Sequence, residues 1–368
     1  MLMNAEPPMR QRIAVYTGPG SSNSWIWLAD FLERNGFLRT VFAADPEKLP
    51  EVDVIMIPGG DAFGIAGAFG EDGLRRISSA IERGAGYIGI CAGAYLPLRS
   101  SIPPLSAFNL LDSRIANISS SLPDGIADRE RYSVRYGCSY VFHPARGPMA
   151  LTGDEDLTAP LYGGPSMIPS PGEKALLSFK GPTEETEVLV DRGICLRTTV
   201  GKAACIEGRH GRGRLVCSAV HLEHPDYPEA NGYFSRMLRG FRAGDGGGGA
   251  FIDDPADPDE ARRTLADLRV LANALDSRSW KIGVKYWESD KLLFYIDAVR
   301  RRIGRRGEGS AMPPEALARL KDAERALRAL QGGEDDDERA LESAIGNLSE
   351  GASSFLTAHF ARLYERPS

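Results

Sequence analysis

Residues 86–95 read GYIGICAGAY: a short apolar run, then a cysteine set between two glycines. A cysteine among apolar residues is often a small buried hydrophobe. The pattern here asks for more. A strand that ends in one residue and turns at once into a helix crowds that residue. Gly-x-nucleophile-x-Gly relieves the crowding by removing side chains on both sides. Gly89-Ile90-Cys91-Ala92-Gly93 fits the pattern and predicts a strand–elbow–helix unit with Cys91 at the turn.

The neighbouring sequence carries the same alternation. RIAVYTG (12–18) reads as a strand, and SSNSWIWLADFLERNGF (21–37) as a capped helix stopped at Asn35–Gly36. VDVIMIPGG (52–60) is a continuous apolar run of the kind found in parallel strands buried on both faces. EDGLRRISSAIERGAG (71–86) predicts the next helix and YIGI (87–90) the next strand. The expected fold is α/β, a doubly wound and mostly parallel sheet. From about 132 to 220 the chain turns β-rich, with YSVRYGCSYVFHP, EVLVDRG and KAACIEGRHGRGRLVCSAVH as strand runs. PEANGYFSRMLRGF (228–241) reads as a closing helix.

Beyond it, AGDGGGGAFIDDPADPDE (243–260) has linker composition. The predicted organisation is a domain over 1–242, a Gly-rich linker over 243–256 and an all-helical C-terminal domain over 257–368. The helical part is broken at RRGEGSAMPP (305–314) and QGGEDDDE (331–338), giving three to five helices.

Bulk properties narrow the function. The 368 residues are 42% hydrophobic and 26% charged, with a net charge of −6. That balance argues against nucleic-acid or anionic-membrane partners. No run of 18 apolar residues or signal-type N-terminus is present, so a cytoplasmic protein is expected. Five cysteines without CxxC spacing fit free thiols better than disulfides or zinc, and neither a metal nor another cofactor is expected.

A nucleophilic thiol needs a base. SAVHLEHPDYP (218–228) ends a predicted strand with His221 and, two residues on, Glu223. In extended chain, residues i and i+2 share a face. Glu223 then orients His221, and His221 accepts the Cys91 proton. His224 is expected to point elsewhere. The Ala92 amide, at the start of the predicted helix, faces the oxygen of an attacked carbonyl. Gly59 and Gly60, closing the neighbouring strand, let backbone approach a ligand, and Gly60 is the second oxyanion donor. Cys138, Cys195, Cys205 and Cys217 fall in strand-like runs and are read as structural. His143 is read as a strand-end polar residue, and TGPGSSNS (17–24) as a weak anion-binding loop.

IPGGD (57–61), GAGYIGICAGAYL (84–96), LYGGPSM (161–167) and AACIEGRHGRGRLVCSAVHLE (203–223) together resemble the class I glutamine amidotransferase-like superfamily. Within it the chain is most similar to the group related to the N-terminal domain of biotin-protein ligases, over roughly residues 12–242. The resemblance implies an α/β fold with a Cys-His-Glu triad. It also implies a substrate pocket drawn from Gly59, Asp61, Tyr95, Tyr162, Gly163 and Gly164. Two positions depart from the superfamily pattern. Ala94-Tyr95 stand where glutamine-using members have a hydrophobic residue and glutamine, and His221-Leu222-Glu223 replaces His-Pro-Glu. GRHGRGR (208–214) echoes a biotin-ligase catalytic signature, but it lies between two strand runs and reads as a hairpin turn.

The expected activity is amidotransferase or amidohydrolase chemistry on a C–N amide bond. Its partner is a small-molecule amide or an acceptor or synthetase protein. A homodimer, a non-catalytic binding or regulatory module, and a peptidase-like thiol hydrolase remain as alternatives.

Overall fold

Buried parallel strands need apolar side chains on both faces, and three of the strands here are buried along their whole length. In chain order the first half is β1 (Ile13–Tyr16), α1 (Trp25–Arg34), β2 (Thr40–Ala43), β3 (Val54–Ile57), α2 (Ala62–Glu82), β4 (Gly86–Ile90), α3 (Ala92–Tyr95) and β5 (Arg114–Ile115). The second half of the sheet region is β6 (Ala145–Gly153), β7 (Leu157–Leu161), β8 (Met167–Ile168), β9 (Lys174–Pro182), β10 (Glu187–Val188), α4 (Arg192–Thr199), β11 (Ala203–His210), β12 (Gly213–Ser218) and α5 (Pro228–Arg239). The C-terminal part holds α6 (Pro258–Asn273), the hairpin β13 (Ser279–Ile282) and β14 (Lys285–Glu288), α7 (Ser289–Arg302), α8 (Pro314–Gly332) and α9 (Asp337–Glu365). The computed structural model describes residues 9–116, 144–244, 256–276, 279–282, 285–303, 311–332 and 337–365.

Strands β2, β1, β3, β4 and β12 lie side by side in that order, all parallel. The sheet continues from β12 through β11, β9, β6 and β10 with antiparallel pairing. The expected mostly parallel α/β layer with a β-rich second half is the observed one. GRHGRGR is a hairpin: His210 pairs with Gly213, and Gly211 takes φ +56° at the turn.

Four expectations need correction. The helix expected at 71–86 begins nine residues earlier, at Ala62. Asp61 caps it by accepting from the Phe63 amide at 3.0 Å, and Gly70, at φ +59°, kinks it. EVLVDRG forms only the two-residue β10. The Asp191 side chain then accepts from the Ile194 amide and starts α4. Cys195 is therefore helical, though buried as expected, as are Cys205 and Cys217 in strands. Among the described residues the C-terminal part holds four helices and one hairpin rather than helices alone. Cys138, His143, most of the YSVRYGCSYVFHP run and most of the linker lie outside the described residues.

Helix α9 lies along β2, and α7 packs on α1. Trp25 of α1 is fully buried between Phe42 of β2 and Tyr295 of α7, with ring centroids 5.7 and 5.9 Å away. Polar groups reinforce this seam. The Thr357 hydroxyl on α9 accepts from the Phe42 amide at 2.9 Å and donates to its carbonyl at 3.3 Å. Ser349 and Ser353 of α9 donate to the carbonyl and hydroxyl of Thr17 at 2.8 and 2.7 Å. Asp30 and Glu33 of α1 meet Arg302 at 2.6 Å each, and Glu33 also meets His359 at 2.9 Å. Burial raises the Glu33 carboxyl, but its bonds to His359 and Arg302 outweigh that and hold it below the ordinary carboxylate range.

Candidate active site

The carboxyl ends of parallel strands gather loops from several elements at one edge of the sheet. Here β4 ends at Cys91, β3 at the Pro58-Gly59-Gly60 turn and β12 just before His221. Cys91 is the one non-glycine residue with positive φ among the described residues, at φ +51° and ψ −104°. Such backbone is strained for a residue with a Cβ. Its surroundings hold it there. The Cys91 amide donates to the Ser218 carbonyl at 2.8 Å, and the Gly93 amide to the Pro58 carbonyl at 3.1 Å. The two flanking glycines are required by contact. A Cβ on Gly89 would stand 2.2 Å from the Gly93 carbonyl oxygen, and one on Gly93 would stand 2.1 Å from that of Ile57. The helix after the elbow, α3, is only four residues long. A helix this short adds little dipole behind Cys91, since the macrodipole sums over aligned peptides.

His221 and Glu223 are paired, but across a turn closed by the His224 amide on the His221 carbonyl at 3.2 Å rather than along the extended chain expected. His221 Nδ1 lies 2.7 Å from Glu223 Oε1, and both residues are buried, at 2% and 1% exposure. The His221 amide donates to the Pro160 carbonyl, fixing the loop against β7. Glu223 Oε2 is buried with no hydrogen-bond partner among the described residues. Gly59 sits between the thiol and the imidazole. A Cβ there would lie 3.0 Å from His221 Cε1 and 3.5 Å from Cys91 Cβ. Cys91, His221 and Gly59 thus share one small volume, and Nε2 is the ring nitrogen that Glu223 does not engage.

The remaining expected site residues fall around this centre. Ala92 is buried directly after Cys91. Gly60, at φ +151°, is bridged to the loop after β1: Ser22 donates to Gly59 O at 2.9 Å and Asp61 to Gly20 O at 2.8 Å. Tyr95 donates its hydroxyl to the Gly163 carbonyl at 3.0 Å, tying α3 to the YGGP segment. Gly164 is wedged on β12's continuation, where a Cβ would meet Ala219 O at 1.9 Å. The Tyr162 ring lies 5.6 Å from that of His221. Asp61 spends its carboxylate on capping α2. It lines a cavity of about 520 Å³ bounded by the 17–21 loop and by Ser349 and Glu350 of α9.

Several neighbours of the centre were not signalled by sequence. Trp27 of α1 stands edge-on to His221, with centroids 5.3 Å apart, and also packs on His224 at 4.3 Å. His224 does not point away as expected; it shares the Trp27 indole with His221. Burial first, and then the nearby His221, push the His224 imidazole down to about 4. Ser24 Oγ approaches Gly59 and meets Ser22 Oγ at 2.7 Å. The two tryptophans in SSNSWIWL were the visible signal, but it marked an apolar helix face rather than a site. Cys91 is itself only 4% exposed. The α1 and 161–164 segments that pack around this centre come from distant parts of the chain. Among the described residues no group of three or more His, Cys, Asp or Glu is arranged to hold a metal ion. No helix there is long and apolar enough to cross a membrane.

Comparison with known proteins adds a family likeness. Residues 12–100 match the family described as "Biotin-protein ligase, N terminal". That stretch includes the IPGGD turn and the Cys91 elbow and ends before the YGGP loop and His221. No curated protein matches the chain. Solved structures similar to it include a glutamine amidotransferase at 15% identity and TM-score 0.40, covering 62% of this chain and 99% of that one. PurLQS from Thermotoga maritima is 17% identical with TM-score 0.41, at 62% and 99% coverage. The exo-β-1,4-mannosidase Op5Man5 from Opitutaceae bacterium strain TAV5 is 13% identical with TM-score 0.37, covering 65% of this chain and 37% of that one. The likeness to the biotin-protein ligase N-terminal group, expected from the motifs, is borne out over residues 12–100.

Proposed function

We propose that this chain is a thiol amidohydrolase or amidotransferase acting on a C–N amide bond through Cys91, His221 and Glu223. The observation that carries the reading is the strained Cys91 backbone beside an imidazole already fixed by a carboxylate. Strain of this kind persists only where surrounding contacts maintain it, and it concentrates at functional sites. In the reaction His221 Nε2 takes the thiol proton and the Cys91 sulfur attacks the carbonyl carbon. The Ala92 and Gly60 amides stabilise the oxyanion. Collapse of the tetrahedral species expels the amine, which takes the proton back from His221. Water then releases the acyl group, or the ammonia passes to an acceptor. Glu223 holds the His221 tautomer throughout.

The test is ammonia or amine release from a panel of amides, with glutamine first. Wild-type protein should turn over at least one member, and Cys91→Ser should lose nearly all of that activity while remaining folded by circular dichroism. Equal turnover by Cys91→Ser would end the thiol mechanism. The near-complete burial of Cys91 and His221 favours a second reading, a binding or regulatory module that keeps the elbow without chemistry. That reading expects no turnover across the panel and no loss of partner binding in Cys91→Ser.

A further inference from the structure

The Gly59-Gly60 turn beside Cys91 leans on the loop after β1, and α9 holds that loop from the far side. Backbone bonds make the first step. The Ser22 amide donates to the Gly59 carbonyl at 2.9 Å, and the Asp61 amide to the Gly20 carbonyl at 2.8 Å. The two segments touch closely. A Cβ on Gly60 would stand 2.1 Å from the Gly20 carbonyl oxygen and 2.9 Å from Ser21 Cα. Close-packed atoms leave no room for one segment to shift without the other. The loop is also closed on itself: the Ser21 amide and hydroxyl donate to the Gly18 carbonyl at 3.0 and 2.6 Å. Loop and turn therefore move as one unit.

Thr17 opens that unit, and α9 meets it there. The Ser349 hydroxyl donates to the Thr17 carbonyl at 2.8 Å, and the Ser353 hydroxyl to that of Thr17 at 2.7 Å. All three residues are buried. The two serines are four residues apart, so they share one face of the helix. Ser353 also reaches the Ser349 carbonyl at 2.6 Å, which fixes its side chain in place. Next to these bonds the packing is open. A hollow of about 520 Å³ has Pro19 and Gly20 on one wall and Ile345 and Gly346 of α9 on the other. A Cβ on Gly346 would meet no atom within 4 Å. The hydroxyl bonds at Thr17 tie together the two walls of that hollow.

We infer that Ser349 and Ser353 are positioning residues for the Gly59-Gly60 turn: through Thr17, the C-terminal part holds the backbone that carries the proposed oxyanion donor. An oxyanion donor acts only at hydrogen-bond distance from the charge that develops in the transition state. Displacing it weakens the transition state and leaves ground-state binding alone, so the loss falls on kcat rather than KM. This catalytic consequence rests on the thiol-enzyme reading above; the link from α9 to the turn does not.

The test variant is Ser349→Ala combined with Ser353→Ala in the full chain, which removes both hydroxyls and leaves the loop and turn unchanged in sequence. Thr357→Val is the control, because it cuts a bond from the same helix that leads to Phe42 of β2 instead of to the turn. Hydrogen exchange at the Ser22 and Asp61 amides reads the link with no substrate present. Relative to the β4 amides of each protein, these two should exchange about tenfold or more faster in the double variant than in Thr357→Val. On glutamine, or the first amide of the panel that the wild type turns over, kcat of the double variant should fall about tenfold with KM unchanged. The pH profile should keep its shape, since Cys91 and His221 are untouched. Exchange at Ser22 and Asp61 no faster than in Thr357→Val would overturn the link. If the double variant does not fold, Ser353→Ala alone is read in the same way. Faster exchange in a protein whose wild type turns over no amide would keep the link and end the enzyme reading. Faster exchange with kcat unchanged, or with the loss confined to KM, would overturn the positioning of the oxyanion donor.

Discussion

His221 Nδ1 and Glu223 Oε1 lie 2.7 Å apart, and the residue between them, Leu222, is buried in the core. The chain after β12 turns here, closed by the His224 amide donating to the His221 carbonyl at 3.2 Å, and the turn brings the two side chains together. Because Glu223 engages one nitrogen, the ring presents the other in a fixed direction. His221→Ala should reduce amide turnover by roughly 10²–10⁴-fold, the usual contribution of a general base. Glu223→Gln should cost less, because the imidazole stays and only its orientation and charge support weaken. Steady-state rates on whichever amide the wild type accepts give the order; a Glu223→Gln loss larger than that of His221→Ala contradicts it.

Thiol labelling separates the cysteines. Burial pushes the Cys205 thiol up to about 12, and drives Cys217 well above its ordinary range. Burial also raises Cys195, against the hydrogen bond with Thr199. Thiolate is the reactive form. At pH 8 iodoacetamide should therefore modify Cys91, beside His221, about tenfold faster or more than Cys195, Cys205 or Cys217. Peptide mapping reads the order, and an inert Cys91 with a labelled Cys217 contradicts the nucleophile assignment.

The elbow glycines should be intolerant of a methyl group. In Gly93→Ala the new Cβ would press on the Ile57 carbonyl oxygen at 2.1 Å, a backbone atom that cannot swing aside. The expected loss is about 1–3 kcal/mol, the range for overpacking a filled site. Gly67→Ala is the control. Gly67 lies in α2 at an exposed position with no atom near its added Cβ. That variant should be stabilised by about 0.4–1 kcal/mol through the unfolded chain. Urea midpoints compare the two.

His224 should give the stability a measurable pH slope. Its folded-state value of about 4 lies below the ordinary 6.5, chiefly because burial disfavours the charged ring. Between these values the unfolded chain binds the proton and the folded one resists it. Stability from the neutral ring is thus complete above about pH 6.5 and declines as pH falls toward 4. His224→Gln should flatten that decline by roughly 1–2 kcal/mol between pH 7 and 4.5. Equal slopes for the two proteins in urea titrations at pH 7, 5.5 and 4.5 would contradict the burial argument.

The parallel core was legible because its causes are local. VIMI and GYIGI are apolar at every position, and only a strand covered on both faces uses that pattern. The Cys91 elbow was legible for the same reason, since glycine spacing answers to strain within five residues. The start of α2 was hidden by Gly64, Gly67 and Gly70, which read as loop while Asp61 caps the helix. The α4 turn was hidden by the β-branched EVLV that precedes it. Trp27 gave no local sign of its place beside His221, because the sheet order brings α1 there from a distant part of the chain. Burial of Cys91 depends on the same long-range packing.

Thr357 has a consequence for dissecting the chain. Strand β2 closes the sheet, and its outward backbone at Phe42 is met by the Thr357 hydroxyl on α9. A chain stopped at residue 242, before the C-terminal helices, would lose that cover along with the helix lying over Phe42. The bared strand would offer its amides and carbonyls to the same strand of another molecule, the usual route to edge-to-edge aggregation. The C-terminal helices therefore act as a solubility cap for the sheet, and the shorter chain should self-associate in proportion to its concentration.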